Sequence, residues 1–259
     1  MGRVVIAAGI FTAACWLAAP LAAVAQAQPP GVAQAQSPAG ASDTDELEAL
    51  LNQPVYAASK FSQAAADAPA SVTVLTAGDI RAFGWRTLAE VLNGARGVHL
   101  RNDRSYTYVG VRGFNRPGDY TSRLLVLIDG QRVNENIFDG APGGREFVLD
   151  VGLIERVEFL PGPGSALYGS NAVLGVVNVI TRAPASLGDG SATVEFGSAS
   201  SRLLRLSTAR ETADGAWMLS AVSERRPGRD LYYAEYDTPA TNSGIARGID
   251  DEGDRKSVV

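Results

Sequence analysis

Cysteine and histidine are nearly missing from this sequence: it has one of each in 259 residues. A closed zinc site takes several such ligands and a disulfide framework takes pairs of cysteines, so neither organises the chain. Ser–His chemistry would have to use His99, which stands in an alternating run where a structural role is expected. No G-x-S-x-G surrounds Ser165 or Ser170, and Gly162–Gly169 lacks the G-K-[ST] of a phosphate loop. Leu167 stands where a dinucleotide-binding turn needs its third glycine. Positive charge is short as well. There are 23 Lys and Arg against 28 Asp and Glu, a net −5, which gives a nucleic-acid partner no electrostatic support. No catalytic residue, metal or cofactor is assigned, and the expectation is a protein that is not an enzyme.

Apolar residues make up 46% and charged residues 20%, ordinary for a folded chain of one or two domains. The strongest pattern is Ile154–Thr181. Val157 and Phe159 alternate with Arg156 and Glu158, as on the two faces of a strand. Pro161-Gly162-Pro163-Gly164 stops the ladder, Ser165 to Tyr168 suits one helical turn, and Gly175–Thr181 reads as a buried β-branched strand.

The ends of this pattern are framed by segments of other character. Arg3 followed by the apolar run Val4–Val24 and Ala23-Val24-Ala25 reads as a secretory signal peptide, 1–25. Residues 26–67 are expected to be disordered for the most part, with helical spacing at Asp43–Leu51 and an extended piece at Gln53–Lys60. From Ala68 the order is strand (Ser71–Leu75), a helix opened by Thr76 and Asp79, and a second opened by the capping box Thr87–Glu90. Strands follow at Gly97–Leu100, Tyr106–Arg112 and Leu124–Ile128, the last turning back through Asp129-Gly130. After Pro184 three strand-like segments appear: Ser191–Gly197, Ser201–Arg210 and Ala216–Glu224. The second sets Leu204, Leu206 and Thr208 against Arg205 and Ser207, the dyad of a membrane barrel strand. Asp250–Asp254 is expected as a solvated loop. Tyr232, Tyr233 and Tyr236 fit either an interfacial girdle or a loop.

The run I-E-R-V-E-F…G-P-G-S-A-L-Y-G…G-V-V-N-V-I-T resembles the plug-domain signature of TonB-dependent outer-membrane receptors. Ala68–Val74, Leu88–Leu92, Val111–Phe114 (V-R-G-F) and Ile128–Val133 (I-D-G-x-R-V) match that family in order. The resemblance implies an α+β plug domain at 68–184, with a small mixed sheet and short helices, and an incomplete antiparallel barrel at 185–259. A plugged barrel takes about 22 strands, so the chain is expected to be a fragment of a longer receptor or a truncated product. The implied function is to bind a scarce nutrient, such as a ferric siderophore or cobalamin, and gate its energy-coupled import across the outer membrane. The alternative is a secreted soluble binding module without its barrel.

The resemblance also implies three sets of site residues. Pro54, Val55, Tyr56, Ala57, Ala58 and Ser59 are the candidate TonB box, an accessible strand donor for the periplasmic C-terminal domain of TonB. Arg104, Tyr106, Tyr108, Arg116, Tyr120 and Phe138, on the outward loops, are candidates for binding an anionic, partly apolar chelate. Arg112, Glu155, Arg156 and Glu158 are candidates for a plug–barrel charge lock. Pro161 stands where the family usually has Arg, so one such pair is expected to be missing.

Overall fold

The computed structural model describes Glu48 and residues 51–258, apart from 69, 105, 117, 189 and 214. The expected signal peptide, the polar run 26–42 and most of the helix Asp43–Leu51 lie outside the described residues.

Two turn chemistries fix the first half of the fold. Thr76 accepts from the Asp79 N–H at 3.2 Å while the Asp79 carboxylate accepts from the Thr76 N–H at 2.8 Å, so Asp completes the capping box of helix Ala77–Phe83. In the second helix, Leu88–Asn93, Thr87 accepts from Glu90, but the Glu90 carboxylate reaches back to the Arg86 N–H rather than to Thr87. The expected box is therefore half formed, with its acid moved one residue outward. Asp129 and Gly130 take φ of 48° and 80°, the paired left-handed residues that a two-residue hairpin needs.

In chain order the strands are β1 (Pro54–Val55), β2 (Gln63–Ala64), β3 (Thr73–Thr76), β4 (Val98–Asn102), β5 (Thr107–Val111), β6 (Leu124–Ile128) and β7 (Gln131–Arg132). They continue with β8 (Ile154–Pro161), β9 (Gly175–Thr181), β10 (Ser191–Phe196), β11 (Arg202–Thr212), β12 (Gly215–Tyr232) and β13 (Ile245–Val258). The central sheet has the order β3-β8-β9-β6-β7, with β6 and β9 parallel and the other pairs antiparallel. Alternation along these strands gives two buried faces. Leu124, Val126, Val157, Phe159, Val177 and Val179 pack with Leu88, Val91 and Leu92 of the second helix. Each large apolar side chain buried this way contributes about 1.5–3 kcal/mol. The opposite face carries Leu125, Leu127, Leu160 and Val176, and Ala57 covers it.

β4 and β5 form a separate hairpin in which His99 faces Gly110. A Cβ on Gly110 would stand 2.2 Å from the imidazole, so the close approach needs glycine and gives His99 a packing role.

β10 to β13 form an antiparallel meander. Val194, Phe196, Leu204, Leu206, Trp217 and Leu219 are exposed on one face, while Ser207, Ala209, Ser220 and Val222 are buried on the other. The dyad read at Arg205 and Ser207 is therefore present. Two expectations differ. β12 runs eight residues past Glu224, through Pro227 and Gly228, where the pairing with β13 shifts register. A bulge tolerates a proline that a regular ladder rejects. Residues 250–254, expected as a loop, lie in β13, where the register sets Asp254 opposite Arg225 and Arg255 opposite Glu224.

Candidate functional site

Four of the six loop residues offered for ligand binding come together. Tyr120 is the hub. Its ring lies 5.4 Å edge-on from Tyr106, 5.5 Å from Phe138 and 6.4 Å from Tyr108. These rings line a cavity of about 380 Å³, together with Val133, Glu135, Pro142, Glu146 and Val148. Strained backbone places the hub: Tyr120 and Thr121 have φ of 48° and 58°, costly for any residue and more so for a β-branched one. The strain is held from both sides. The Tyr120 carbonyl accepts from the Ala141 N–H at 3.0 Å, and the buried Thr121 hydroxyl accepts from the Val109 N–H at 3.2 Å.

The other members are fixed by short polar contacts. The Tyr108 hydroxyl donates to Asp103 at 2.8 Å, and that bond, with burial, pushes its pKa up. Glu135 accepts from the N–H groups of Ile137, Phe138 and Gly140, which shapes the loop carrying Phe138 and holds the Glu135 carboxyl below its usual range. Buried Asn134 ties the same loop to β6, accepting from the Val126 N–H and donating to the Leu124 and Asp139 carbonyls. Sequence reasoning singled out Phe138 of this loop but not Glu135 or Glu146. The available signal was an acid just ahead of a turn whose N–H groups it can accept.

The two arginines of the set stand elsewhere. Arg104 lies over the Tyr233 ring, 5.7 Å from its centre, and donates to the Tyr233 hydroxyl. Arg116 lines a second cavity of about 210 Å³ with Asp119 and Arg123. The aromatic cavity therefore differs from the mixed aromatic and cationic site expected, because Arg104 engages Tyr233 and Arg116 lines the other cavity. Tyr233 in turn engages a plug loop and is no free girdle residue.

The candidate TonB box is also differently placed. Residues 51–67 were expected to be disordered, yet Val55, Ala57 and Ala58 are buried and β1 pairs with β2. The segment is a strap across the second face of the central sheet. Glu158 holds it: one carboxylate oxygen accepts from both the Tyr56 and the Ala57 N–H, each at 2.8 Å. The other accepts from Arg156 at 3.0 Å. Tyr168 donates its hydroxyl to the Ala57 carbonyl at 2.9 Å, and the Lys60 ammonium lies 4.8 Å from the Tyr168 ring centre. The strap's main-chain donors are thus in use, and the segment is no open strand donor in this state.

The same geometry corrects part of the charge lock. Glu158 is fully buried inside the plug and Arg156 pairs with it and with Glu155, so Arg156 and Glu158 fasten the strap rather than a barrel wall. Arg112, exposed at φ 52°, lies beside the Gly162 turn next to Pro161. Among the described residues, other side chains make ion pairs between plug and sheet. Asp150 meets Arg205 at 2.6 Å, Arg86 meets Glu195 at 3.5 Å, and Arg145 meets Glu224 at 3.9 Å. Among the described residues, no three His, Cys, Asp or Glu side chains gather as a metal site.

Mixed sheet, capped short helices and following meander define a class of fold, a plug domain continued by antiparallel strands. Residues 64–176 match the family described as TonB-dependent Receptor Plug Domain, so the chain carries that plug, continued by antiparallel barrel-type strands. The family is one of transporters rather than enzymes. Among curated proteins, the chain is 35% identical over 182 residues to the vitamin B12 transporter BtuB of Vibrio vulnificus. That match covers 68% of this chain and 28% of the relative. It is 33% identical over 132 residues to the iron-regulated outer membrane virulence protein of Vibrio cholerae, covering 49% of this chain and 20% of that protein. The chain thus spans about a quarter of the length of these relatives. The fold is shared with the ferripyoverdine receptor of the Pseudomonas aeruginosa outer membrane, with a TM-score of 0.57 at 19% identity. The match covers 69% of this chain and 23% of that one.

Proposed function

We propose that the chain is the plug-bearing part of an outer-membrane receptor that captures a scarce nutrient, a ferric siderophore, cobalamin or a similar compound, and admits it when TonB acts on the plug. The observation that carries this reading is the convergence of Tyr106, Tyr108, Tyr120 and Phe138, from separate loops, on one cavity of a plug fold. The names of the vitamin B12 and iron-regulated relatives support the same cargo class. In this reading residues 1–25 direct export, 68–184 form the plug and 185–259 begin the barrel. The periplasmic C-terminal domain of TonB meets Gln53–Lys60, and because Glu158 already holds that segment, contact follows its release.

The test is uptake of cyanocobalamin and of ferric siderophores by cells whose receptor carries this chain. One nutrient is expected to enter, and Tyr120→Ala should weaken its surface binding about tenfold or more, as loss of a central aromatic anchor does. Uptake of every nutrient unchanged after deletion of the receptor removes the reading.

A further inference from the structure

The aromatic cavity has a charge character that the residue types alone did not give. Its charged lining residues are two carboxylates, Glu135 and Glu146, and among the described residues that line it there is no Arg or Lys. Both carboxylates accept main-chain N–H groups, Glu135 at 2.8 Å from Ile137 and Glu146 at 2.9 Å from Gly144, which fix their positions at the cavity wall. Arg104 is drawn to Tyr233 and Arg116 to the second cavity. What remains is a set of ring faces and edges around Tyr120 beside fixed negative charge. Aromatic faces attract flat apolar rings and cations alike. The same carboxylates repel an anion, and more strongly where water is partly excluded. A volume of about 380 Å³ suits one ring system rather than a whole metal chelate.

We propose that this cavity receives a flat ring bearing no negative charge, a neutral or cationic heteroaromatic portion of the cargo, and turns anionic groups away. The inference rests on the reading of this site as the one that receives ligand, and it separates the cargo's ring from any acidic metal-binding head.

A matched set of probes tests it: methylquinolinium, quinoline and quinolinesulfonate, titrated against the full chain by saturation-transfer NMR. Tyr120→Ala serves as the reference for binding elsewhere. The expected result is Tyr120-dependent binding of the cation and the neutral ring, about tenfold or more tighter than the sulfonate at low salt. The gap should narrow as salt rises. Glu146→Gln should narrow it as well while leaving quinoline binding in place. Tyr120-dependent binding of the sulfonate equal to that of the cation overturns the charge assignment and leaves the ligand-site reading standing. Binding of all three unaffected by Tyr120→Ala overturns both.

Discussion

Glu158 is the residue on which two parts of the molecule depend. It is fully buried, and its carboxylate joins the Arg156 guanidinium to two strap N–H groups. Removing one partner of a buried pair costs more than the pair is worth, because the other charge stays behind. Glu158→Ala should therefore destabilise the plug by about 3 kcal/mol, read as a lower denaturant midpoint, whereas Glu155→Ala, at the exposed end of the same network, should cost about 0.5 kcal/mol or less. Tyr168 offers a second residue-scale test. Burial, helped by the nearby Tyr56 and Glu158, pushes its phenol up to about 12 from 10.0. A folded-state pKa above the unfolded one means that its contribution is fully present below pH 10.0 and is lost as the pH rises toward about 12. Phenolate absorbance should show a late-titrating tyrosine that Tyr168→Phe removes, and the strap should loosen over the same window.

At the scale of elements, the strap is a short hairpin plus a loop, fastened at few points. Ala57→Pro deletes one of the two N–H groups held by Glu158 and fixes φ. Tryptic cleavage after Lys60 should speed up about tenfold or more, since proteolysis follows the opened population. Ser59→Ala should leave it unchanged, because that hydroxyl donates to the exposed Phe61 carbonyl and does not hold the strap to the sheet. This element was the least legible in the sequence. Pro54, Ala57 and Ala58 read as an accessible strand donor, and the carboxylate that orders them lies 102 positions from Tyr56. The faces of β11 were legible, because a period of two separates Arg205 and Ser207 from Leu204 and Leu206 without tertiary information. The convergence on Tyr120 was half legible. The aromatics of the outward loops were visible as types, but their meeting depends on positive φ at Tyr120 and Thr121 that no local pattern announces. The displacement of Arg104 to Tyr233, 129 positions away, was invisible for the same reason as the strap.

The whole described molecule is a plug face meeting the inner face of a four-stranded meander. The contact between them mixes apolar packing, with Met218 of β12 against the plug core, and ion pairs. Asp150, almost wholly buried, caps the turn before β8 by accepting from the Gly152 N–H and also meets Arg205 of β11. Arg205→Ala leaves that carboxylate with its N–H donor but without its cation, and should lower stability by about 2 kcal/mol, measured as the shift in denaturant midpoint of the full chain. Ion pairs such as these add charge complementarity to the apolar packing of Met218 and fix the register of plug and sheet.

The strap's attachments also have an order along the chain. The bond between the Gln53 carbonyl and the Ala65 N–H comes first, then the β1–β2 pairs, then Glu158, and last the Tyr168 hydroxyl. Tension entering at Gln53 therefore meets these attachments one behind another, as in a zip, rather than side by side, as in a shear joint. The peak load is set by the strongest single fastening, the Glu158 pair, and not by their sum. A force sustained over a few residues of travel would strip the strap away and bare the face of Leu125, Leu127, Leu160 and Val176, reaching the five-stranded sheet beneath only through Glu158 of β8.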